Sequence, residues 1–577
     1  MSKRRWLVQP VAPVHFSARF PEFSPLLAQI FFTRGILTSD DARRFMGDAD
    51  LVIDGHIGAD PFLMSGMSVA VERLCRAIRD GEAIAVYGDF DADGVCSTVL
   101  LTNALKELGA KALPYIPHRV NEGYGLNQDA LQDLRAKGAR VVVTVDCGIR
   151  SLDEVDQGAA LGLDMIVTDH HSVGATLPRA VAVVNPKQPD DQYPFQEFAG
   201  VGIAFKLAQA LAQAHARAPL PNAQALNLDA LLDLVALGTV ADLVPLVGEN
   251  RALVKRGIAR LVKTERPGLI ALLNQTGAKT RIVNAGTIGF YLGPRLNAAG
   301  RIEHARTAYK LLATQYPGEA EQLAAQLETT NRERQKMTDE LTQQARALVA
   351  QLPPDEFILI AGSPDFPEGI IGLIASKLQE DAYRPAIAMT HQLDKGQMRG
   401  SARSIPEFNF IAALDECADL LVRHGGHAAA AGFTVTNEKF PALRERLRAI
   451  AARELRALDL RPTLSIDAVA ELSAMNWELL AQLERLQPFG YGNREPVFMS
   501  KNVLVKSARI VGADHLALTV SDGSIVWDAI AFRQKELLAA LTPLPKRVDL
   551  AYHLASKVWN GEARLQLEVR DLRIAEG

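Results

Sequence analysis

Cysteine is scarce in this chain. Four thiols, Cys75, Cys96, Cys147 and Cys417, are spread over 577 residues, and none forms a C-x-x-C pair. Such spacing argues against a disulfide framework, and the apolar neighbours of each thiol point to buried free cysteines in a reducing compartment. Long apolar runs are missing too. No stretch approaches the roughly 18 residues of a membrane span, and the basic start, MSKRRWLVQPVAPVHF, lacks the apolar core of a signal peptide. A cytoplasmic protein without membrane contact is expected. Nor is there an excess of one charge. The net charge of -4 marks neither a strongly basic nucleic-acid binder nor an acidic tail, so a polyanionic partner has to be met by a local patch.

The length and the 48% hydrophobic content support several cores, and about three or four domains are expected. The first part alternates strand and helix. Strands are read at 83–87 (AIAVY), 111–116, 139–146, 164–169 and 180–186, with helices at 95–108, 127–137, 151–162, 200–216 and 228–240. Continuous apolar strands joined by helices predict a parallel sheet covered on both faces. Ligands of such sheets bind beyond the carboxyl ends of the strands. Those ends carry Asp89, Asp91 and Asp93, then Asp146, then Asp169-His170-His171, while a helical segment adds Asp242.

One acid at a strand end is a common cap. Several acids and a histidine pair at successive ends converge in space. Asp89, Asp91 and Asp93 are spaced by two, and no lysine or arginine lies among them. Clustered carboxylates stay ionised only beside positive charge, and divalent cations are the natural counterweight. Carboxylates with one or two imidazoles suit Mg²⁺ or Mn²⁺. The candidates are too many for one ion, so two ions sharing an aspartate are expected, the arrangement that activates a water in phosphoryl hydrolysis. A calcium loop fits GDFDADG less well, because the spaced glutamate is missing.

Residues 318–352 are free of proline and rich in Ala, Leu, Gln and Glu, which predicts one long connecting helix. A second α/β lobe follows, with strands at 357–362 and 384–389. Arg399, Ser401 and Arg403 share one face if RGSARS is a strand; they suit a phosphate, or a polar solvent face. In GGHAAAAG, Gly425 and Gly426 allow close backbone approach and His427 offers a donor; tight helix packing is the alternative. Residues 251–310 hold twelve Lys/Arg against two Asp/Glu, a local basic stretch fit for a polyanion. From about 462 onwards five short alternating segments predict a small β-barrel, in which Trp527, Phe532, Tyr552 and Trp559 either stack on bases or fill the core.

DFDADG, VTVDCG, TDHH and GTVADLVPL, in this order, resemble the DHH phosphoesterase superfamily, and within it the single-strand-specific 5′→3′ DNA exonucleases of bacteria. LGPRLNAAGRI, MRGSARS, RHGGHAAAAGF and QPFGYGNREPVF extend the resemblance over most of the chain. It implies a parallel-sheet DHH catalytic domain at 66–317 after an N-terminal segment 1–65. A connecting helix at 318–352, a DHH-associated substrate-binding domain at 353–460 and an OB-like single-strand-binding domain at 461–577 complete the implied order. It also implies that Asp89, Asp91, Asp146, His170 and Asp242 hold two metal ions, with Asp146 bridging. His171 would face the scissile phosphate, and Asp93 belongs to the catalytic motifs. Arg295, Asn297, Arg301, Arg399, Ser401, Arg403, Gly426 and His427 are the implied substrate contacts. Ala85 stands where many members carry a histidine, so that ligand position is filled by Asp93 or water. The implied activity is release of 5′ mononucleotides in DNA recombination and repair, by a monomer that meets single-stranded-DNA-binding protein and a helicase. Two other readings are a DHH-type nanoRNase or bisphosphonucleoside phosphatase, which would lack the barrel, and a metal-dead repair scaffold, whose motifs would be eroded.

Overall fold

The computed structural model describes residues 4–47, 52–53, 56–119, 122–123, 125–277, 283–392, 396–559 and 561–575. The chain divides into two compact units. One comprises Leu51–Leu460 with Gly490–Gly492; the other comprises Met1–Asp50, Arg461–Phe489 and Asn493–Gly577.

The first unit opens with a five-stranded parallel sheet. Its strands are β1 (Ala83–Tyr87), β2 (Lys111–Tyr115), β3 (Ala139–Thr144), β4 (Asp164–Thr168) and β5 (Ala182–Val184), in spatial order β2-β1-β3-β4-β5. Apolar and β-branched residues such as Val141, Val142 and Val143 leave both faces buried, as in a doubly covered sheet. The crossovers are α1 (Ala92–Glu107), α2 (Gln128–Ala136) and α3 (Leu152–Ala160), followed by α4 (Gly200–Arg217) and α5 (Leu232–Ala241). Further along, α6 (Gly293–Ile302) leads to the long helix α7 (Pro317–Val349). Proline at its start fixes the first turn and needs no N–H partner.

The same unit holds a second five-stranded sheet. Its strands are β6 (Leu359–Ser363), β7 (Ala386–Gln392), β8 (Gln397–Arg403), β9 (Leu421–Gly426) and β10 (Ala430–Thr436), ordered β9-β10-β8-β7-β6, with helix α8 (Glu368–Ala382) packed on it. GGHAAAAG is therefore the turn and flanks of a β9–β10 hairpin; no helix forms there. RGSARS does lie on a strand, β8. The Gly490–Gly492 turn joins this unit through the Leu246 N–H, which donates to the Tyr491 carbonyl at 2.7 Å.

The second unit is built on β11 (Phe498–Val511), β12 (His515–Ser521), β13 (Val526–Ala531), β14 (Lys546–Trp559) and β15 (Glu562–Ile574). The order β11-β12-β13-β15-β14, closed by pairing of β14 with β11, makes a five-stranded barrel of the OB type. Trp527 and Tyr552 belong to its core, whereas Phe532 is half exposed; the Trp559 side chain lies outside the described residues. The chain's first residues fold here as well. Arg5–Val8 pairs in parallel with Thr463–Ile466, and Phe16, Phe20 and Phe31 pack into the barrel's apolar cluster. All four cysteines are free and buried.

Candidate metal centre and anion cavity

Backbone geometry brings the acids together. β1 ends two residues before Asp89, and Asp91 caps α1, its side chain accepting the Asp93 and Gly94 N–H groups at 2.9 and 3.0 Å. The chain turns so sharply here that a Cβ at Gly94 would lie 2.6 Å from the Asp89 carbonyl. Asp146 follows β3 with φ at 64°, a left-handed conformation that costs a non-glycine residue roughly 1–3 kcal/mol. The start of α4 presses on it; a Cβ at Gly200 would come within 2.5 Å of the Asp146 Cβ. Asp242 closes α5.

These positions yield three groups of possible metal-ligand atoms: Asp89, Asp91 and Asp146; Asp93, His170 and Asp242; and Asp146, His170 and His171. Asp146 belongs to two of them. Asp93 is also held elsewhere, because its carboxylate accepts the Gly200 and Val201 N–H groups at 2.6 and 3.0 Å at the start of α4. Ala85 is buried in β1 and offers no donor.

The tautomer of His170 follows from its bonds. Nδ1 lies 2.9 Å from the Phe198 carbonyl, which can only accept, so Nδ1 carries the proton. Nε2 is then a lone pair 3.1 Å from Asp146 Oδ1 and 3.6 Å from Asp242 Oδ2. Three acceptors facing one another fit a cation between them. Buried Asp89 Oδ1 likewise has no hydrogen-bond partner among the described residues. Burial, then the charge of Asp91, pushes the Asp89 carboxyl up to about 8. Burial and neighbouring aspartates raise Asp146 and Asp242 well above the carboxylate range. Burial pushes His170 down to about 3, with the nearby His171 adding to the effect. The donor set is oxygen-rich with one committed imidazole nitrogen, which fits hard divalent cations.

Asp169 does a different job. One oxygen accepts from the N–H groups of His170 and His171 and bonds His171 Nδ1 at 2.7 Å; the other accepts from the Ile149 N–H at 2.9 Å. It orients the His171 ring. Burial alone would lower His171, but this bond and the charges of Asp169, Asp89 and Asp91 raise it.

A cavity of about 400 Å³ opens on the acids. Asp89, Asp91, Asp146, His171 and Asp242 line it from one side, and Asn297, Arg301, Arg399 and Arg119 contribute further side chains. The Asn297 side-chain oxygen accepts the Ala92 N–H at 2.8 Å, tying α6 to the start of α1. Arg301 bonds the Gly369 carbonyl at 3.2 Å. Burial pushes Arg301 down to about 9, and the charges of Arg119, Arg334 and Arg403 add to the effect. Arg399 is ion-paired with Glu368. Half-buried arginines crowded together favour an anion as crowded buried aspartates favour a cation.

Other residues expected to touch substrate sit apart from the cavity lining. Arg295 lies outside the cavity lining and is engaged by Glu328 of α7 at 2.6 Å and by the Tyr291 carbonyl at 2.7 Å. Arg403 donates to Ser401 at 3.1 Å, behind the cavity near Gly372. Gly426 and His427 lie at the β9–β10 turn. Part of the basic stretch 251–310 is neutralised: Arg256 pairs with Asp229, Arg260 with Glu265 and Arg266 with Asp233. Lys279 and Arg281 lie outside the described residues. The sequence reading missed Arg119, whose guanidinium stands 4.5 Å over the Phe90 ring. Its signal was available, because Arg119 follows the end of β2 as Asp89 follows β1.

A parallel sheet that gathers acids and a histidine pair at its carboxyl edge, joined to a second lobe bearing arginines, defines a phosphoesterase of the DHH class. Family models agree: the DHH family N-terminal domain matches residues 83–239, the DHHA1 domain 324–453, and the RecJ OB domain 466–571. The single-stranded-DNA-specific exonuclease RecJ of Bacillus subtilis is 39% identical over all of this chain and 71% of its own length. That of Escherichia coli is 35% identical over 96% of each. The structure of Thermus thermophilus RecJ in complex with Mn²⁺ matches with a TM-score of 0.82 at 30% identity, over 100% of this chain and 80% of that one. The chain belongs to the RecJ family.

Proposed function

We propose that this chain is a single-stranded-DNA-specific exonuclease that works from the 5′ end and releases 5′ mononucleotides, with two ions of Mg²⁺ or Mn²⁺ at Asp89, Asp91, Asp146, His170 and Asp242. The observation that carries this reading is the pairing of opposites in one cavity: converging acids and the half-buried arginines Arg119, Arg301 and Arg399 line the same space. Relatives named single-stranded-DNA-specific exonucleases over nearly the whole chain support the substrate. Metal-bound RecJ structures, with Mn²⁺ and with Mg²⁺, support the choice of ions.

Metal ions held by these residues would supply a water of lowered pKa and neutralise charge gathering on the leaving oxygen. The chain's own groups do the rest. His170 keeps Nε2 unprotonated because Nδ1 holds the proton and donates it in a hydrogen bond to the Phe198 carbonyl. His171, turned by Asp169, offers an N–H to the scissile phosphate. Arg301, Arg399 and Arg119 hold the 5′-terminal phosphate and so fix the polarity, while Ser401 and Arg403 back them. His427 donates from the β9–β10 turn.

The division into an N-terminal segment 1–65, a catalytic domain 66–317, a helix 318–352, a substrate-binding domain 353–460 and a barrel domain 461–577 belongs to this reading. So do a monomeric state, a cytoplasmic location, and encounters with single-stranded-DNA-binding protein and a helicase. Among the described residues no helix is long and apolar enough to cross a membrane. The test is digestion of single-stranded DNA labelled at either end, with and without Mn²⁺. Label released first from the 5′ end as mononucleotide, only with metal, is expected. Release from the 3′ end, or metal-independent cleavage, refutes the reading.

A further inference from the structure

The two edges of the catalytic sheet carry cations on opposite sides of the acids. Arg119 follows β2 at one edge, the acids and histidines follow β1, β3 and β4, and Lys187 follows β5 at the other edge. Strands stand about 4.8 Å apart, so the four gaps separate the edges by on the order of 19 Å. The arginine cavity occupies the first side. Neither Lys187 nor Arg150, which follows β3, lines it.

The turn that carries Lys187 is firmly built. Asn185 is fully buried; its Nδ2 donates to the His171 carbonyl and its Oδ1 accepts the Lys187 N–H, both at 2.9 Å. Gln188 Nε2 donates to the Val183 and Asn185 carbonyls at 3.1 Å. The backbone of Lys187 is thus tied to His171. Its side chain is half-buried and makes no ion pair or hydrogen bond among the described residues. Arg150 is exposed, and its Nε donates to the Ser172 carbonyl at 3.0 Å. His427, exposed at the β9–β10 turn of the second lobe, feels the charge of both Arg150 and Lys187. Burial lowers its pKa first, and the charges of His171, Lys187 and Arg150 lower it further. Lys187 also eases the raised pKa of Asp242, which burial, Asp93 and Asp91 push upward.

We propose that Arg150 and Lys187, with His427 beside them, form a second anion site that takes the phosphodiester on the 3′ side of the scissile bond. This rests on the reading above, in which the 5′ end lies at the arginine side. Lys187 makes no direct ion pair among the described residues, although Asp242 feels its charge; half-buried, its ammonium loses hydration and gains it back on a phosphate oxygen, and arginine adds planar donors. Such contacts set the register of the strand without reading its bases. The strand then runs over the edge of the sheet from Arg119, across the acids, to Lys187.

The test compares 5′-phosphorylated oligothymidylates of two, three and twenty nucleotides in Mn²⁺, with the full-length wild type, Arg150→Ala, Lys187→Ala and Arg150→Lys. The dinucleotide ends beyond its one scissile phosphate; the trinucleotide adds the next. The ratio of kcat/KM for trinucleotide over dinucleotide should fall about tenfold in each alanine variant, the scale of one charge-assisted hydrogen bond, and the fall should reside in KM. Arg150→Lys should restore part of it. The slope of log affinity against log salt on the 20-mer should become shallower by about 0.7, one phosphate's worth. Each ratio is internal to one protein preparation, so a partly unfolded variant does not imitate the effect. An unchanged ratio overturns the proposal. So does a raised Mn²⁺ requirement at an unchanged ratio, which would make Lys187 a counter-charge for Asp242. A wild type that cleaves none of the three sinks the functional reading instead.

Discussion

His170 in the catalytic unit and His553 in the barrel unit are built alike. Each is buried and donates Nδ1–H to a backbone carbonyl, Phe198 at 2.9 Å and Pro496 at 2.7 Å. Burial lowers the pKa of both. They differ in their surroundings. His170 Nε2 faces Asp146 and Asp242 at 3.1 and 3.6 Å, whereas His553 lies in a barrel strand paired with Glu568. One backbone bond serves both residues by fixing a tautomer. What meets the second nitrogen decides whether the ring supports structure or waits for a cation.

The comparison breaks most visibly at the acids. In Asp146→Ala, hydrolysis should fall at least about a thousandfold, or about 4 kcal/mol of barrier. Circular dichroism should stay native, because a repelled buried carboxylate has been removed. Turnover near wild type in Mn²⁺ would take Asp146 out of the ligand set. Next comes Asp169→Asn, which leaves the cluster but loosens the orientation of His171. A fall of about 10–100-fold in kcat/KM is expected, as for groups that position a site's side chains, and full activity would assign Asp169 to backbone capping alone.

A smaller effect separates the units. A fragment of residues 51–460 should still cleave short oligonucleotides, because Asp89 through Asp242 and Arg399 all lie within it. Its affinity for long strands should drop, with a salt slope shallower by about 0.7 for each phosphate that the barrel no longer neutralises. Cutting only after residue 460 is the wrong experiment, since Phe16, Phe20 and Phe31 would be left without the barrel cluster they pack against. Unchanged long-strand affinity of the folded fragment would deny the barrel a role in grip.

The smallest effect belongs to His553. Its folded pKa is held below the unfolded value of about 6.5, so below that pH the unfolded chain binds more protons and stability falls as the medium is acidified. His553→Gln should flatten the pH dependence of the urea midpoint between pH 7.5 and 5. An equal slope in both proteins would mean that other groups set it.

Much of the catalytic sheet was legible because β1 and β3 are short apolar runs ending in acids, and the parallel-sheet rule says where such ends meet. Asp89, Asp91, Asp146 and His170 were read from such ends and Asp242 from a helical segment, with the family resemblance suggesting their roles; the structure brings their side chains together. Arg119 and Lys187 are single basic residues after β2 and β5, without the clustering that marks the acids and the histidine pair. The ion pair of Arg295 was not legible, because its partner, Glu328, lies 33 residues further on and no local pattern announces it. The barrel's five strands were readable from their alternation. The four residues Arg5–Val8 were not, since their ladder with Thr463–Ile466 spans more than 450 positions.

That ladder sets an order of events during synthesis. When Arg5 leaves the ribosome, its partner Thr463 is 458 residues away. At about 5–20 residues per second, the first strand waits roughly 25–90 s for it. Residues 51–460 emerge in that interval with a core of their own. The catalytic unit can fold as an insert while the first fifty residues stay unclaimed, and the barrel closes last. A ribosome stalled once Leu460 has cleared the exit tunnel should therefore carry a protease-resistant catalytic unit behind a cleavable amino-terminal tail.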